Sequence, residues 1–169
     1  MKKVLMDAAA ALAMMSLTGC YTAREFEGDA ALRVNKDSSW PRYTIQFAEV
    51  DLAKEGRHEF SFVSPPPVEW RFRLDVAQEN GEDGVPPTDV DVVLRSGDGI
   101  EIGHASGSLV DGWVQVDSGR FRAFLHPALD YFRMPTDRTY VLVIKVHVSK
   151  DATGSYKAVP RLRGGGIRL

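Results

Sequence analysis

The chain has 169 residues, with 21 Lys and Arg against 23 Asp and Glu, so its formal net charge is -2. This length fits one ordinary domain, and 44% hydrophobic with 26% charged residues is typical of a globular protein. The near-neutral charge argues against a nucleic-acid partner, because nucleic-acid binders are usually strongly basic. A single cysteine, Cys20, excludes a disulfide within the chain.

The N-terminal segment has the composition of a secretory signal peptide. Lys2 and Lys3 form a basic start, and residues 8–15 form an apolar run. Small and polar residues then precede Cys20. The apolar run is too short to span a bilayer, which takes about 20 residues. We therefore expect residues 1–19 to be an export signal.

The sequence Leu17-Thr18-Gly19-Cys20 resembles the lipobox of bacterial lipoproteins, in which an apolar residue, a small or polar residue, Gly or Ala, and Cys follow in that order. The resemblance implies that Cys20 takes a diacylglyceryl group, that cleavage follows Gly19, and that the new amino group is acylated. Tyr21, where an inner-membrane lipoprotein has Asp, implies the periplasmic face of the outer membrane of a Gram-negative bacterium. Two or more acyl chains anchor a protein stably, so the lipid bilayer is the first expected partner.

Residues 20–40 are expected to be the lipidated cysteine and a flexible tether. The segment is rich in charged residues, and its apolar residues are sparse and lack a strict period. If extended, it would reach about 65–70 Å. The alternative is an N-terminal arm that packs on the domain.

Residues 41–169 alternate apolar and polar side chains with a period of two, which predicts strands. The apolar phase of Tyr43, Ile45 and Phe47 shifts by one residue further on, which predicts a bulge near Ala48 and Glu49. In residues 69–76 the apolar side chains alternate with Glu69, Arg71, Arg73 and Asp75. We expect this charged stripe to face water; the alternative is that it recognises a polar ligand.

The later strands complete an all-β pattern. Residues 140–148 form the longest predicted strand, expected at the centre of a sheet, and turns are predicted at residues 96–99 and 117–119. About eight to nine short strands predict a two-sheet antiparallel β-sandwich. One short helix is predicted near residues 127–132, because Pro127 suits a first helical position.

No segment matches a known catalytic or metal-binding motif. In residues 103–107 glycine directly follows Ser106, so the segment is not a nucleophile elbow, and we expect His104 and Ser106 to be loop residues. The four histidines lack metal-ligand spacing, and we predict no metal and no cofactor. The acidic loop 79–91 lacks the register of an EF-hand, so calcium binding there stays open.

Residues 126–138 hold the candidate partner-binding residues. Tyr131, Phe132, Arg133 and Met134 stand together, and Tyr, Phe, Arg and Met are enriched at interface cores. The partner would be a periplasmic or envelope protein. The alternative is that Leu129 and Phe132 plug one end of the sandwich and leave only Tyr131 exposed.

By its size, its alternating strands and the late strand at residues 139–144, the domain resembles small periplasmic β-sandwich lipoproteins of proteobacteria. It is also similar in outline to the sandwich lipoprotein of the type VI secretion envelope complex. We therefore expect an outer-membrane-anchored, non-catalytic binding or structural module. The alternatives are an inhibitor or immunity lipoprotein, a secretion-system envelope lipoprotein, and an enzyme acting on cell-wall sugar or peptide. Fold alone does not decide among these functions.

Overall fold

The computed structural model describes residues 26–36, 41–77, 88–109, 113–116, 121–124, 129–148 and 156–165. These residues are nearly all in strands, and none of them forms an α-helix. In chain order the strands are β1 (Glu27–Gly28), β2 (Ala30–Asn35), β3 (Arg42–Phe47), β4 (Val50–Asp51), β5 (Gly56–Val63), β6 (Glu69–Ala77), β7 (Thr88–Ser96), β8 (Glu101–Ser108), β9 (Trp113–Val116), β10 (Phe121–Phe124), β11 (Asp130–Arg133), β12 (Thr139–Val148) and β13 (Lys157–Gly164).

The strands form two antiparallel sheets, which confirms the predicted β-sandwich. Sheet A has the order β1-β5-β12-β7-β8. Sheet B has the order β2-β3-β13-β6-β10-β9, with β11 paired to β6 and β4 paired to β13. The longest described strand, β12, lies between β5 and β7, at the central position expected for it.

The core lies between the sheets and takes alternate residues from each strand. Trp70, Phe72 and Leu74 of β6 are buried there, as the period of two predicts. From sheet A, Phe62 stacks on Tyr140 with ring centroids 5.6 Å apart. The Tyr140 hydroxyl donates a 2.8 Å hydrogen bond to the carbonyl oxygen of Pro135, so its polar end is satisfied.

The predicted bulge near Ala48 and Glu49 is confirmed. Residue 46 pairs with residue 161 and residue 50 pairs with residue 158, so four steps on β3–β4 oppose three steps on β13. The extra residue interrupts the ladder opposite Pro160. A proline has no N–H to donate, so it fits a strand where the ladder is already broken.

Residues 26–36 are not part of a tether, so the expectation for residues 20–40 is wrong over this stretch. Strand β1 pairs with β5 and β2 pairs with β3. The physical reason is that Phe26, Ala30 and Leu32 pack against the core, with apolar side chains alternating along β2. Asp29 joins the two sheets: its N–H donates to the Ser61 carbonyl oxygen (2.7 Å), and its carboxylate accepts from the Ser61 N–H (2.9 Å).

The short helix expected near residues 127–132 is also wrong where the structure describes it. Residues 130–133 form strand β11, which pairs with residues 69–71 of β6. Strand β10 pairs with β6 only from residue 74 onward. The backbone N–H and C=O groups of β6 before residue 74 are not paired with β10, and β11 pairs with this part of the strand instead.

The turn predicted at residues 96–99 connects two paired strands. The N–H of Ser96 donates to the carbonyl oxygen of Ile100 (2.9 Å), which closes the turn between β7 and β8. Strands β9 and β10, which flank the turn predicted at residues 117–119, also pair with each other, but the turn itself lies outside the described residues. Residues 1–25, with Cys20, and residues 78–87 of the acidic loop lie outside the described residues. Within the described part of the chain, no helix is long and apolar enough to cross a bilayer.

Candidate functional site

The outer face of sheet B collects arginines from neighbouring strands. Residues that pair directly across an antiparallel sheet point to the same face. Arg73 pairs with Arg161 and Arg71 pairs with Arg163, so β6 and β13 place four guanidinium groups side by side. Thr44 of β3 pairs with Arg163 and so lies on this face too. Arg42 is two residues before Thr44 in the same strand and therefore points to the same face.

A cleft of about 480 Å³ opens on this face, where β3 and β6 begin and β13 ends. We call it the arginine cleft. The described residues whose polar groups line it are Asn35, Arg42, Thr44, Glu69, Arg71, Arg73, Tyr131 and Arg163. Among them four are cationic and one is anionic.

The single acidic group of this lining is already engaged. Glu69 Oε1 accepts hydrogen bonds from Arg133 Nε (3.1 Å) and Nη2 (2.9 Å). Arg133 pairs with Glu69 across β11 and β6, so the sheet register holds the two together. Asp130 and Asp75 likewise pair with Arg71 and Arg73. Together the lining and these paired neighbours hold six arginines and three carboxylates, a local excess of positive charge in a chain whose net charge is -2.

A buried carboxylate, Asp75, supports the floor of the cleft. Asp75 is 4% exposed and accepts from Arg73 Nε (3.0 Å) and from Arg161 Nη1 (2.5 Å), with Arg163 Nη2 at 3.9 Å. Arg73 Nη2 lies 2.9 Å from Asp75 Oδ1 but has no hydrogen bond of acceptable geometry, and Arg161 Nε has none either. One carboxylate thus serves several guanidinium groups and leaves part of their hydrogen-bonding capacity unused.

The expectation that the whole charged stripe of β6 faces water is therefore wrong for Arg73 and Asp75, which are buried. The physical reason is the neighbouring strand: Arg161 of β13 lies opposite Arg73 and supplies a counter-charge to the Asp75 carboxylate. Nothing in the sequence around residues 69–76 shows that residues 161 and 163 will be their neighbours. The alternation of apolar and polar residues in β13 predicts a strand there, but it does not identify β6 as the neighbouring strand.

Tyr131 forms the rim of the cleft in a strained backbone conformation. Its φ is 60°, and the register between β11 and β6 shifts at this residue, so Tyr131 is the bulged residue. A bulky residue with positive φ is unusual and costs free energy, and such residues cluster at functional sites. The side chain is 56% exposed.

Tyr131 also positions an arginine of the cleft. The Arg71 guanidinium lies 4.7 Å from the centre of the Tyr131 ring, and Arg71 Nη2 donates a hydrogen bond to the Tyr131 hydroxyl. Arg71 Nε donates to the Asp130 carboxylate, the residue before it on β11. The Arg71 side chain is thereby held in place while 37% of it stays exposed.

The structure divides the four candidate partner-binding residues between two environments. Tyr131 and Arg133 lie on the outer face beside the arginine cleft. Phe132 packs partly against the core, and Met134 is buried. Leu129 is buried too, as the alternative of a core plug predicts. That alternative leaves only Tyr131 exposed, but Arg133 is exposed as well.

His104 and Ser106 lie in strand β8, so the expectation that they are loop residues is wrong. His104 Nε2 lies 2.5 Å from Asp91 Oδ1, and Lys145 Nζ lies 3.3 Å from Oδ2. Burial raises the pKa of Asp91, but the hydrogen bonds from His104 and Lys145 outweigh it, and the pKa falls below its ordinary value. No group of three or more metal-binding side chains occurs within the described ranges.

The comparisons with known proteins add no family to this geometry. No protein-family model matches the chain, and no curated protein matches it. The functional argument therefore rests on the residues of the cleft.

Proposed function

We propose that the chain is an outer-membrane-anchored, non-catalytic binding module of the bacterial envelope, whose arginine cleft binds an anionic group. The observation that carries the binding role is the excess of arginine in a concave site. Arg42, Arg71 and Arg163 reach the cleft from three different strands, and Arg73 lies in its floor.

The chemistry of arginine favours an oxyanion as the ligand. A guanidinium is planar, stays charged, and offers several N–H donors that match carboxylate and phosphate oxygens. The hydrogen bonds of Arg71 to Asp130 and Tyr131 restrict its side chain before a ligand arrives. Such preorganisation lowers the entropy cost of binding.

The unused hydrogen-bonding capacity in the floor supports the same role. Arg73 is nine-tenths buried, and Asp75 is shared with Arg161. Removing charges from water is costly, so a floor with more guanidinium groups than carboxylates favours the approach of an anion.

The anchor is proposed from the lipobox at residues 17–20 and is tested separately. We expect the wild-type chain to incorporate labelled palmitate in Gram-negative cells and to fractionate with the outer membrane, whereas Cys20→Ala should lose both properties. Labelling or membrane retention of Cys20→Ala would contradict the anchor.

No observation favours the alternatives of an inhibitor or a secretion-system component. An inhibitor was expected to use residues 126–138 as a plug. Residues 130–133 lie in sheet B instead, as strand β11. We propose a non-catalytic role because the arginines of the cleft bind and orient but do not supply a nucleophile.

Calorimetric titration of the purified full chain in a non-ionic detergent tests the binding role. Inorganic phosphate is the probe. We expect saturable binding by the wild type and at least tenfold weaker binding by the double variant Arg71→Ala/Arg163→Ala. The matched control is Arg57→Ala/Arg95→Ala, which removes the same charge from the outer face of sheet A.

The pattern across these variants decides the proposal. Equal weakening in both double variants would mean general electrostatic attraction, and the cleft would lose its assignment. Absence of saturable phosphate binding by the wild type would overturn the proposed binding role.

A further inference from the structure

We infer that the anion bound by the arginine cleft is the phosphate of an anionic lipid headgroup, one without a cationic group of its own, in the membrane to which Cys20 is attached. This inference rests on the proposed function and makes its ligand specific. Four observations lead to it: where the chain enters the sandwich, how short the connection to Cys20 is, where the exposed apolar side chains lie, and how the arginines are arranged.

The chain enters the sandwich at the end that holds the arginine cleft. Strand β1 runs antiparallel to β5, with Glu27 opposite Val63, so Phe26 lies beyond the last residue of β5. Only residues 64–68 connect β5 to β6, and Trp70 Nε1 donates to the Pro66 carbonyl oxygen. The end of β5, the start of β6 and the entry of the chain therefore share one end of the molecule.

The connection from the lipidated residue to this end is short. Six peptide steps separate residues 20 and 26, and they span at most about 20–22 Å. Because residues 26–36 belong to the sheets, the tether cannot reach the 65–70 Å that the sequence suggested. The cleft end of the sandwich is thus held close to the bilayer surface.

Among the residues whose burial is described, the two large apolar side chains that are exposed lie at this same end. They are Ile100 (62% exposed) and Tyr131 (56%). Ile100 ends the turn that follows Ser96, and Ser96 pairs with Tyr140 near the start of β12. Since the adjacent Thr139 pairs with Val63, this turn is at the entry end too. Exposed apolar and tyrosine side chains beside arginines are typical of surfaces that rest on a membrane interface.

The arrangement of the arginines favours a phosphate over a carboxylate. Arg42, Arg71 and Arg163 come from three consecutive strands of sheet B, and all three line the cleft. A carboxylate accepts hydrogen bonds mainly in one plane, whereas the oxygens of a phosphate point in several directions. Headgroup phosphates also offer a surface of such anions, to which clustered arginines are attracted.

Arginine footprinting on vesicles tests the inference with the full lipidated chain. The protein is inserted through its own lipid into phosphatidylcholine vesicles with or without phosphatidylglycerol, treated with phenylglyoxal, and mapped by mass spectrometry. Arg71 and Arg163 report on the cleft, with side chains 37% and 42% exposed. Arg57 and Arg95 are the controls, with side chains 52% and 36% exposed, so their access to the reagent is comparable.

We expect phosphatidylglycerol to lower the reactivity of Arg71 and Arg163 by about fivefold, the factor that corresponds to the attraction of one arginine to an anionic surface. Arg57 and Arg95 should not change. Equal protection of all four arginines, or protection of none, would overturn the inference.

A second arm separates this outcome from failure of the proposed function. Soluble glycerol phosphate is added to the protein on phosphatidylcholine vesicles. Protection of the cleft by the soluble phosphate alone would overturn the lipid source and leave the anion-binding function standing. If neither phosphate protects the cleft and calorimetry detects no binding, the proposed function fails as well.

Discussion

The outer faces of the two sheets come from the same alternation of apolar and charged residues, but their charged side chains are arranged differently. On sheet A the charges form small, partly exposed groups, such as Arg57 with Glu59 (2.6 Å) and Lys145 with Asp91 (3.3 Å). On sheet B the guanidinium groups of β6 and β13 gather around the buried carboxylate of Asp75. Alternation of charged and apolar residues therefore predicts which side chains point away from the core, but not whether those side chains are exposed to solvent.

The difference arises from which strands are neighbours. In sheet A, β12 lies between β5 and β7. Lys145 lies opposite Arg57 on one side, but each of the two has a carboxylate of its own, Asp91 (3.3 Å) and Glu59 (2.6 Å) respectively. In sheet B, the arginines of β6 face arginines of β13. Like charges placed opposite each other repel, so this second arrangement needs Asp75 and favours additional anions.

Removal of the shared carboxylate should have the largest effect. Asp75→Asn keeps the shape but leaves Arg73 and Arg161 without their counter-charge in a buried position. Breaking a buried ion pair from one side costs about 3–5 kcal/mol. Urea unfolding of the full chain should show this loss as a lower midpoint.

The control on sheet A is Asp91→Asn, which also removes one carboxylate that contacts two side chains, those of His104 and Lys145. Its side chain is partly exposed, so we expect a loss below about 1 kcal/mol. Equal losses in the two variants would mean that burial does not distinguish the two faces, and the comparison would fail.

Much of the fold follows from local pattern. The alternation of β6 and β12, the bulge near Ala48 and the turn after Ser96 each depend on a few adjacent residues, and each is confirmed. Strand β2 shows the limit of this approach. Its apolar residues Ala30, Leu32 and Val34 alternate too, but Ala31 occupies one of the positions between them, so the pattern is weak. The pairing with β3, which one sequence does not reveal, completes the strand.

The site could be predicted only in part. Tyr131 stands out by residue type, and it lies at the cleft. Arg42 and Arg163 are more than 100 residues apart in sequence, and only the pairing of β3 with β13 brings them together. Long-range pairing of this kind leaves no local signal, so the cleft as a unit could not be predicted from one sequence.

Gly164 offers an intermediate test directly beneath the cleft. A Cβ atom there would lie 2.6 Å from Val68 Cγ2 and 2.8 Å from Trp70 Cε3, both in packed side chains. Overpacking of this kind costs about 1–3 kcal/mol. Gly164→Ala should therefore lower the urea midpoint and weaken phosphate binding, because β13 must move away from β6.

The matched control is Gly107→Ala in β8 of sheet A, where a Cβ would meet nothing within 4 Å. We expect no loss of stability there, and a small gain is consistent with the lower entropy of the unfolded chain. If Gly107→Ala were as destabilising as Gly164→Ala, close packing under the cleft would not be the cause.

The smallest expected effect concerns the pH dependence of the sheet A group. The pKa of Asp91 is lowered from 3.8, since the hydrogen bonds from His104 and Lys145 outweigh the opposing effect of burial. A carboxyl whose pKa is lower in the folded state stabilises the fold above its unfolded pKa, and this contribution disappears as the pH falls through the folded value. The contribution is below about 1 kcal/mol, because the groups are partly exposed.

Urea unfolding of the wild type and of Asp91→Asn between pH 5 and pH 3 measures this contribution by difference. The stability difference should be constant in the upper part of this range and should shrink once the pH falls below about 4, where the unfolded carboxyl takes up its proton. A difference that grows toward low pH would mean that protonated Asp91 is the better partner for its neighbours. The group on sheet A would then not be the simple, solvent-screened ion pair that sets it apart from the buried network around Asp75.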